Sequence, residues 1–283
     1  VVAPASEQVG PAATMVGDDL WVFFASPSGE IDLRTRDTAG LWSDGPPLPG
    51  SPRTDSDVAA AYYDGRVHLL FKAQGAGPQP LMWVTCDTER RCTVAAELVE
   101  DPSGGTRASS LFGPALAVGG TAPTLFIVYG RGSTAELSVQ SYFGPLRILS
   151  PVAAVGPPGT SMVGSGPCYR NNALGTVHVV DSPTAAFFRG RLHVAARVGE
   201  EARFSLDGCA PPFGCPWETV VPEGAVVVTS SPSPLEAASW TRIVPQYELG
   251  AGSSGGQHPR LAAGPDILEL WYSTPLAGPS VAV

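Results

Sequence analysis

Residues 10–24 read GPAATMVGDDLWVFF, and this stretch decides the fold because the chain repeats it. Moved forward by 47 residues it falls without a gap on residues 57–71, DVAAAYYDGRVHLLF. Moved by 172 it falls on residues 182–196, SPTAAFFRGRLHVAA. Looser copies begin at Gly113 (GPALAVGGTAPTLFIVY, two residues longer) and at His258 (HPRLAAGPDILELWY). Each copy is a run of small residues, a tight Gly/Asp turn and an apolar run, which is the pattern of a β-hairpin. Five such hairpins at intervals of tens of residues predict a repeat architecture.

Working outward from each hairpin, two further short strands complete a four-stranded antiparallel unit. The expected fold is therefore all-β, a five-bladed β-propeller forming one domain over residues 1–283. Blade 1 is expected over residues 10–49, with strands at 30–35 and from Trp42 onward. Blade 2 covers 57–100, with outer strands at 81–85 and 93–99. Blade 3 covers 113–155, with strands at 135–140 and 146–150, and blade 4 covers 182–222, with strands at 202–205 and 217–221. Blade 5 starts at His258 and has its third strand at 280–283. A ring must close, because an open sheet edge invites unwanted pairing. Residues 1–6 are expected to supply the missing strand of blade 5, the alternative being two frayed ends.

Composition agrees with this. Charged residues are only 15% of the chain, while Gly (33) and Pro (29) are abundant, which suits short strands joined by turns and not long helices. No apolar run reaches the length of a membrane-spanning helix. The net charge of −9, with no basic patch, argues against nucleic-acid binding. Lys72 is the only lysine among 17 basic residues, and Asn171 and Asn172 are the only asparagines, a bias read as genome base composition. The start Val-Val-Ala-Pro reads as a mature end from which a leader has gone.

Cysteine placement points to export. Cys86 and Cys92 lie in CDTERRC, and Cys209 and Cys215 lie in CAPPFGC, at matching places in two repeats. This spacing is poor for zinc, so two local disulfides in an oxidising compartment are expected, with Cys168 left over. The protein is expected to be secreted, extracellular or periplasmic, and a monomer.

A second pattern sits between the third and fourth strands. Thr35-x-Asp37 with Gly40 and Trp42 returns as Thr85-x-Asp87, as Ser205-x-Asp207 with Trp217, and in degraded form as Ser138-x-Gln140 with Gly144 and Leu146. A short hydroxyl and an acid can bond the turn backbone while the Trp plugs the gap between blades. These turns resemble the Asp-box, S-x-D-x-G-x-x-W, of sialidase-like and other sugar-active propellers, where the box is structural and lies away from the active face.

The spacing between equivalent residues Leu20, Val67, Leu125, Leu192 and Leu268 grows from 47 to 58, 67 and 76. The added length falls between blades, in segments 101–112, 156–181 and 223–257, which are expected to crowd one rim and form one pocket. The first strands begin at that rim with Gly10, Asp57, Gly113, Ser182 and His258, preceded by Val9, Ser56, Phe112, Asp181 and Gln257. Its polar departures are Asp57, Asp181 and His258. The chain resembles five-bladed glycosidases of the arabinanase and fructosidase type, which place three carboxylates on such strands. That resemblance implies Asp57 and Asp181 as two of the three, with His258 beside them. Glu7, Asp101, Glu236 and Glu248 are candidates for the third. Two carboxylates across a channel suit acid/base hydrolysis, hydroxyl binding or a structural calcium ion equally; no other cofactor is expected.

Tyr169, Arg170, Asn171 and Asn172 combine an aromatic with paired donors suited to a sugar, or else shape a turn. Trp240, Arg242 and Tyr247 have the same composition, and His178 and Arg260 also fall on the expected rim. His68 and His193 share one column with Trp21 and read as packing. His178 and His258 with an aspartate lack metal-ligand spacing, and Gly164-Ser165-Gly166 falls short of a nucleophile elbow. The main functional expectation is a lectin-like propeller, resembling tachylectin-type and glycosidase propellers, with one asymmetric glycan pocket. The alternatives are a glycoside hydrolase or lyase using Asp57 and Asp181, and a protein-interaction scaffold.

Overall fold

The computed structural model describes residues 9–101, 105–146, 148–155, 179–197, 202–205, 217–221, 226–236, 239–241, 244–245, 257–274 and 278–282. The expected disulfide Cys209–Cys215, Cys168 and the expected closing segment 1–6 lie outside them.

Blade 1 is a simple meander of Ala12–Val16, Asp19–Ala25, Ile31–Arg36 and Trp42–Asp44. Blade 2 repeats it with Val58–Tyr63, Arg66–Lys72, Gln79–Cys86 and Ala96–Glu97. Its first turn is Asp64-Gly65, both at positive φ (49° and 74°), the conformation of a type I′ hairpin whose twist matches the flanking strands. Arg189-Gly190 does the same in blade 4 (46° and 75°). Blade 3 contains Ala115–Gly119, Thr124–Arg131 and Glu136–Phe143, flanked by both Ile148–Leu149 and Ala153–Ala154. Blade 5 contains Gln257–Ala263, Leu268–Thr274 and Gly278–Ala282.

Blade 4 departs from the expectation. Thr184–Phe188 and Arg191–Arg197 are followed in the sheet by Val226–Ser231 and then Val244–Pro245. Among the described residues Ala202–Ser205 and Trp217–Val221 pair only with each other, as a hairpin inserted between the second and third strands. Val226–Ser231, which takes the third place, is buried at all but one position. Residues 226–231 and 244–245 of segment 223–257 are thus blade strands, not the rim loop expected of them.

Segment 101–112 is in part strand. Ser109–Ser110 pairs both with Gln79 and Pro80 of blade 2 and with Arg131 of blade 3, joining the two blades edge to edge. Buried Glu100 anchors this bridge, accepting from Arg131 Nε (3.0 Å) and Nη2 (2.7 Å). Gln140 Nε2 adds bonds to the Val99 and Glu100 carbonyls.

The core lies between blades. Trp21, Phe23 and Ile31 of blade 1 meet Val67, Leu69 and Phe71 of blade 2. Leu70 and Leu81 of blade 2 meet Ile127 and Tyr129 of blade 3, and Phe126 and Val128 of blade 3 meet Leu192 and Val194 of blade 4. Consecutive first strands lie side by side from blade 1 through blade 5. Threonine hydroxyls lace them: Tyr62 N–H donates to Thr14 Oγ1 and Leu261 N–H to Thr184 Oγ1, both at 3.0 Å.

In each meander the first strand starts, the second ends and the third starts at one end of the blade. The opposite end carries the first and last turns. There Asp37 Oδ1 accepts from Leu41 N–H (2.8 Å), and Asp87 Oδ1 accepts from Glu89 N–H (3.0 Å) and Arg91 N–H (2.9 Å). Cys86 and Cys92 are joined across the Asp87 turn. Trp42 does not plug a gap between blades, as it is 46% exposed.

Candidate functional site

A cleft of about 320 Å³ opens at the end where the first strands begin. Blade 2 supplies Asp55, Ser56, Asp57 and Lys72; the approach to blade 3 supplies Leu111 and Phe112; the approach to blade 4 supplies Asp181 and Ser182. Asp57 and Asp181, 124 positions apart in sequence, therefore line one cavity.

Asp57 is buried and held at both oxygens. Oδ1 accepts from Gly10 N–H at 2.5 Å, and Oδ2 pairs with Arg260 Nη2 at 2.7 Å. Arg260 belongs to the first strand of blade 5, so this triad ties blades 1, 2 and 5 together. Gly10 is required for it: a Cβ there would strike the Arg260 guanidinium and Asp57 Oδ1. A Cβ on Gly113 would strike the Asp57 carbonyl. One blade pair further round, Gly113 N–H donates to Ser182 Oγ at 3.1 Å. The column Gly10, Asp57, Gly113, Ser182 alternates because each polar side chain caps the backbone N–H of a glycine in the preceding blade. Asp181 Oδ1 accepts from the N–H of Ser182, which sets the corner entering blade 4 (2.7 Å).

Asp55 is the carboxylate that the repeat alignment missed. Of the four candidates for a third acid, Asp101 and Glu236 do not line the cleft, and Glu7 and Glu248 are outside the described residues. Asp55 Oδ1 pairs with Lys72 Nζ at 2.5 Å and Oδ2 accepts from Gly75 N–H at 3.1 Å. Burial by itself would raise its pKa, but the Lys72 hydrogen bond, the Gly75 N–H and the ammonium charge together hold it below the usual carboxylate range. Two signals pointed here: the Asp-Ser-Asp run at 55–57 and the presence of a single lysine.

The remaining candidates divide. Arg260 is in the site, bound to Asp57. Trp240 is not: it is 4% exposed, packed in the core of blades 3 and 4, with Nε1 donating to the Pro234 carbonyl (3.1 Å). Its indole found an apolar pocket and a partner for its N–H, which is how a buried Trp is satisfied. His258 lies on the first strand of blade 5, at the cleft end. Tyr169, Arg170, Asn171, Asn172, His178, Arg242 and Tyr247 lie outside the described residues. Among the described residues no cluster of His, Cys, Asp or Glu is arranged to hold a metal ion.

His68 and His193 are packing residues. His68 is buried among Tyr63, Trp83 and Tyr142, accepting from Trp83 Nε1 at Nδ1 (3.2 Å) with Nε2 against the Tyr63 carbonyl (3.3 Å). Burial pushes its pKa down to about 4. Burial also lowers His193, against an opposing hydrogen bond to the Phe188 backbone.

No protein-family model and no curated protein sequence matches the chain. Solved structures do. A GH43 endo-arabinanase from Bacillus licheniformis is similar over 99% of this chain and 95% of its own, with a TM-score of 0.55 and 11% identity. An endo-arabinase from Bacteroides thetaiotaomicron is similar over 96% and 92%, with a TM-score of 0.52 and 16% identity. An α-L-arabinanase from Cellvibrio cellulosa, complexed with arabinohexaose, is similar over 98% and 91%, with a TM-score of 0.52 and 10% identity. At such identities the likeness concerns architecture alone. Together with the strand order described above, it establishes that this chain is a five-bladed β-propeller.

Proposed function

We propose that the protein is a glycoside hydrolase whose substrate enters the cleft between Asp57 and Asp181. The observation that carries this reading is the meeting of Asp55, Asp57 and Asp181 in one cavity at the head of the first strands. Near end-to-end likeness to arabinanases adds support. Hydrolysis of a glycosidic bond needs one carboxyl group to protonate the leaving oxygen and another to activate water or attack the sugar. Asp57, fixed by Gly10 and Arg260, suits a stationary negative charge facing the positive charge that develops on the sugar ring. Asp181 is the partner that exchanges a proton. The Cys86–Cys92 disulfide supports export to an oxidising compartment, where a monomeric polysaccharide-acting enzyme would meet its substrate.

A lectin-like role is the second reading. It is favoured by the ion pairs that already engage Asp55 and Asp57, which suit hydroxyl recognition without proton transfer. The test is release of reducing ends from arabinan and xylan and of nitrophenol from aryl pentosides, alongside calorimetric binding of the oligosaccharides. Hydrolysis that falls about 10²–10⁴-fold in Asp181→Asn, with the fold intact, is the expected result. Binding without turnover replaces it with the lectin, and neither binding nor turnover replaces both with a scaffold.

A further inference from the structure

Lys72 ends the second strand of blade 2, and its side chain is only 5% exposed. It lines the cleft, as do both partners of its ammonium, Asp55 (2.5 Å) and the Gly75 carbonyl (3.1 Å), so the charged head sits at the cavity wall. An ammonium has three N–H donors and accepts nothing. Two are matched, and among the described residues the third has no partner. A covered, charged donor is costly to leave unsatisfied, and the cavity is where a partner can reach it. The strand end does not call for a lysine as such: the equivalent strand ends in Ala25 in blade 1, in Arg131 in blade 3 and in Arg197 in blade 4.

We propose that Lys72 is a ligand-binding residue of the cleft and that its third N–H is donated to an oxygen of an uncharged sugar. The inference rests on the glycan reading above and adds the group recognised and the substrate class. Asp55 already balances the ammonium and takes its shortest bond, so what remains is a directed donor and not a net positive charge. A hydroxyl or ring oxygen can accept from it without displacing anything. A uronate carboxylate would have to lie beside both Asp55 and Asp57, or evict Asp55 from the pair.

A chain with one lysine makes the test direct. Protein grown on ¹³C-lysine has a single lysine ε-methylene signal, which needs no assignment and reports on the ammonium in the native chain. Arabinohexaose and trigalacturonate are the probes, with Kd measured by calorimetry. Arabinohexaose is expected to shift the signal with the calorimetric Kd and to bind at least about tenfold more tightly than trigalacturonate. Lys72→Met is expected to weaken it about 10–100-fold, the loss of one charge-assisted hydrogen bond, and Lys72→Arg to weaken it less. If Lys72→Met fails to fold, the labelled native protein and Lys72→Arg still decide. Arabinohexaose binding with the signal unmoved overturns the role of Lys72 and leaves the glycan reading standing. Tighter binding of trigalacturonate with a moving signal overturns the uncharged substrate. Binding of neither probe overturns this inference together with the reading it rests on.

Discussion

The two ends of the propeller meet the same need, partners for backbone N–H groups, in opposite ways. At the turn end the capping acids stay within their blade, Asp37 and Asp87 accepting from the backbone of their own turns, and one N–H is served across blades, Gly144 donating to Tyr63 Oη of blade 2 at 3.0 Å. At the cleft end the blades serve one another. Asp57 caps Gly10 of the blade before it, Ser182 caps Gly113, and Arg260 reaches Asp57 from blade 5. A cap bonded within its own turn can change without disturbing a neighbouring blade. Carboxylate and hydroxyl caps that cross between blades make the cleft end the place where residues distant in sequence assemble into a site.

The largest contrast is expected from two glycines. Gly113→Val places a side chain against the backbone of Asp57 and should cost about 3 kcal/mol in urea denaturation. Gly65→Ala, at φ 74° with open space around it, should cost about 1 kcal/mol from backbone strain alone. Equal losses would remove the distinction between the ends.

A comparable effect at the turn end is expected from His68, which is buried and neutral in the folded chain. The unfolded chain protonates His68 near pH 6.5 and the folded chain only near 4. Stability is therefore flat above pH 6.5 on this account and falls as pH drops from 6.5 to about 4. The full loss is about 3 kcal/mol. His68→Phe should lower stability at neutral pH and flatten this window, which chemical denaturation at a series of pH values would reveal.

Next comes the latch. Asp57→Ala leaves Gly10 N–H and Arg260 without their acceptor and should cost about 2 kcal/mol, discounted because the guanidinium is partly exposed. A double-mutant cycle with Arg260→Ala should show coupling, whereas additivity would mean that blade 5 is held by other contacts. Replacing both Cys86 and Cys92 by Ala should cost about 2 kcal/mol through the loop closed at the turn end. The smallest change is expected from Asp37→Asn, a solvent-facing turn whose melting temperature should barely move.

Much of the molecule was legible because its signals are local. Asp64-Gly65 between an alternating and an apolar run can hardly be anything but a hairpin, and five such runs can bury their faces only against one another. Asp57 and Asp181 were legible as departures from a repeated column. Trp240 was misjudged because an aromatic in a loop-like segment reads the same whether it faces a ligand or a core. The blade 4 insertion was misplaced because two strand-like segments competed for one slot.

The sequence by itself determined the hairpins, their turns, the number of blades and the local disulfide Cys86–Cys92, since each depends on neighbours within a few residues. Only the tertiary structure decided which strand fills the third place of blade 4, that Asp55 joins the cleft, and that Gly10 must lack a side chain for Arg260 to reach Asp57. Those outcomes depend on competition for burial and on contacts across 203 residues of chain, and no spacing along a sequence encodes the distance between two blades.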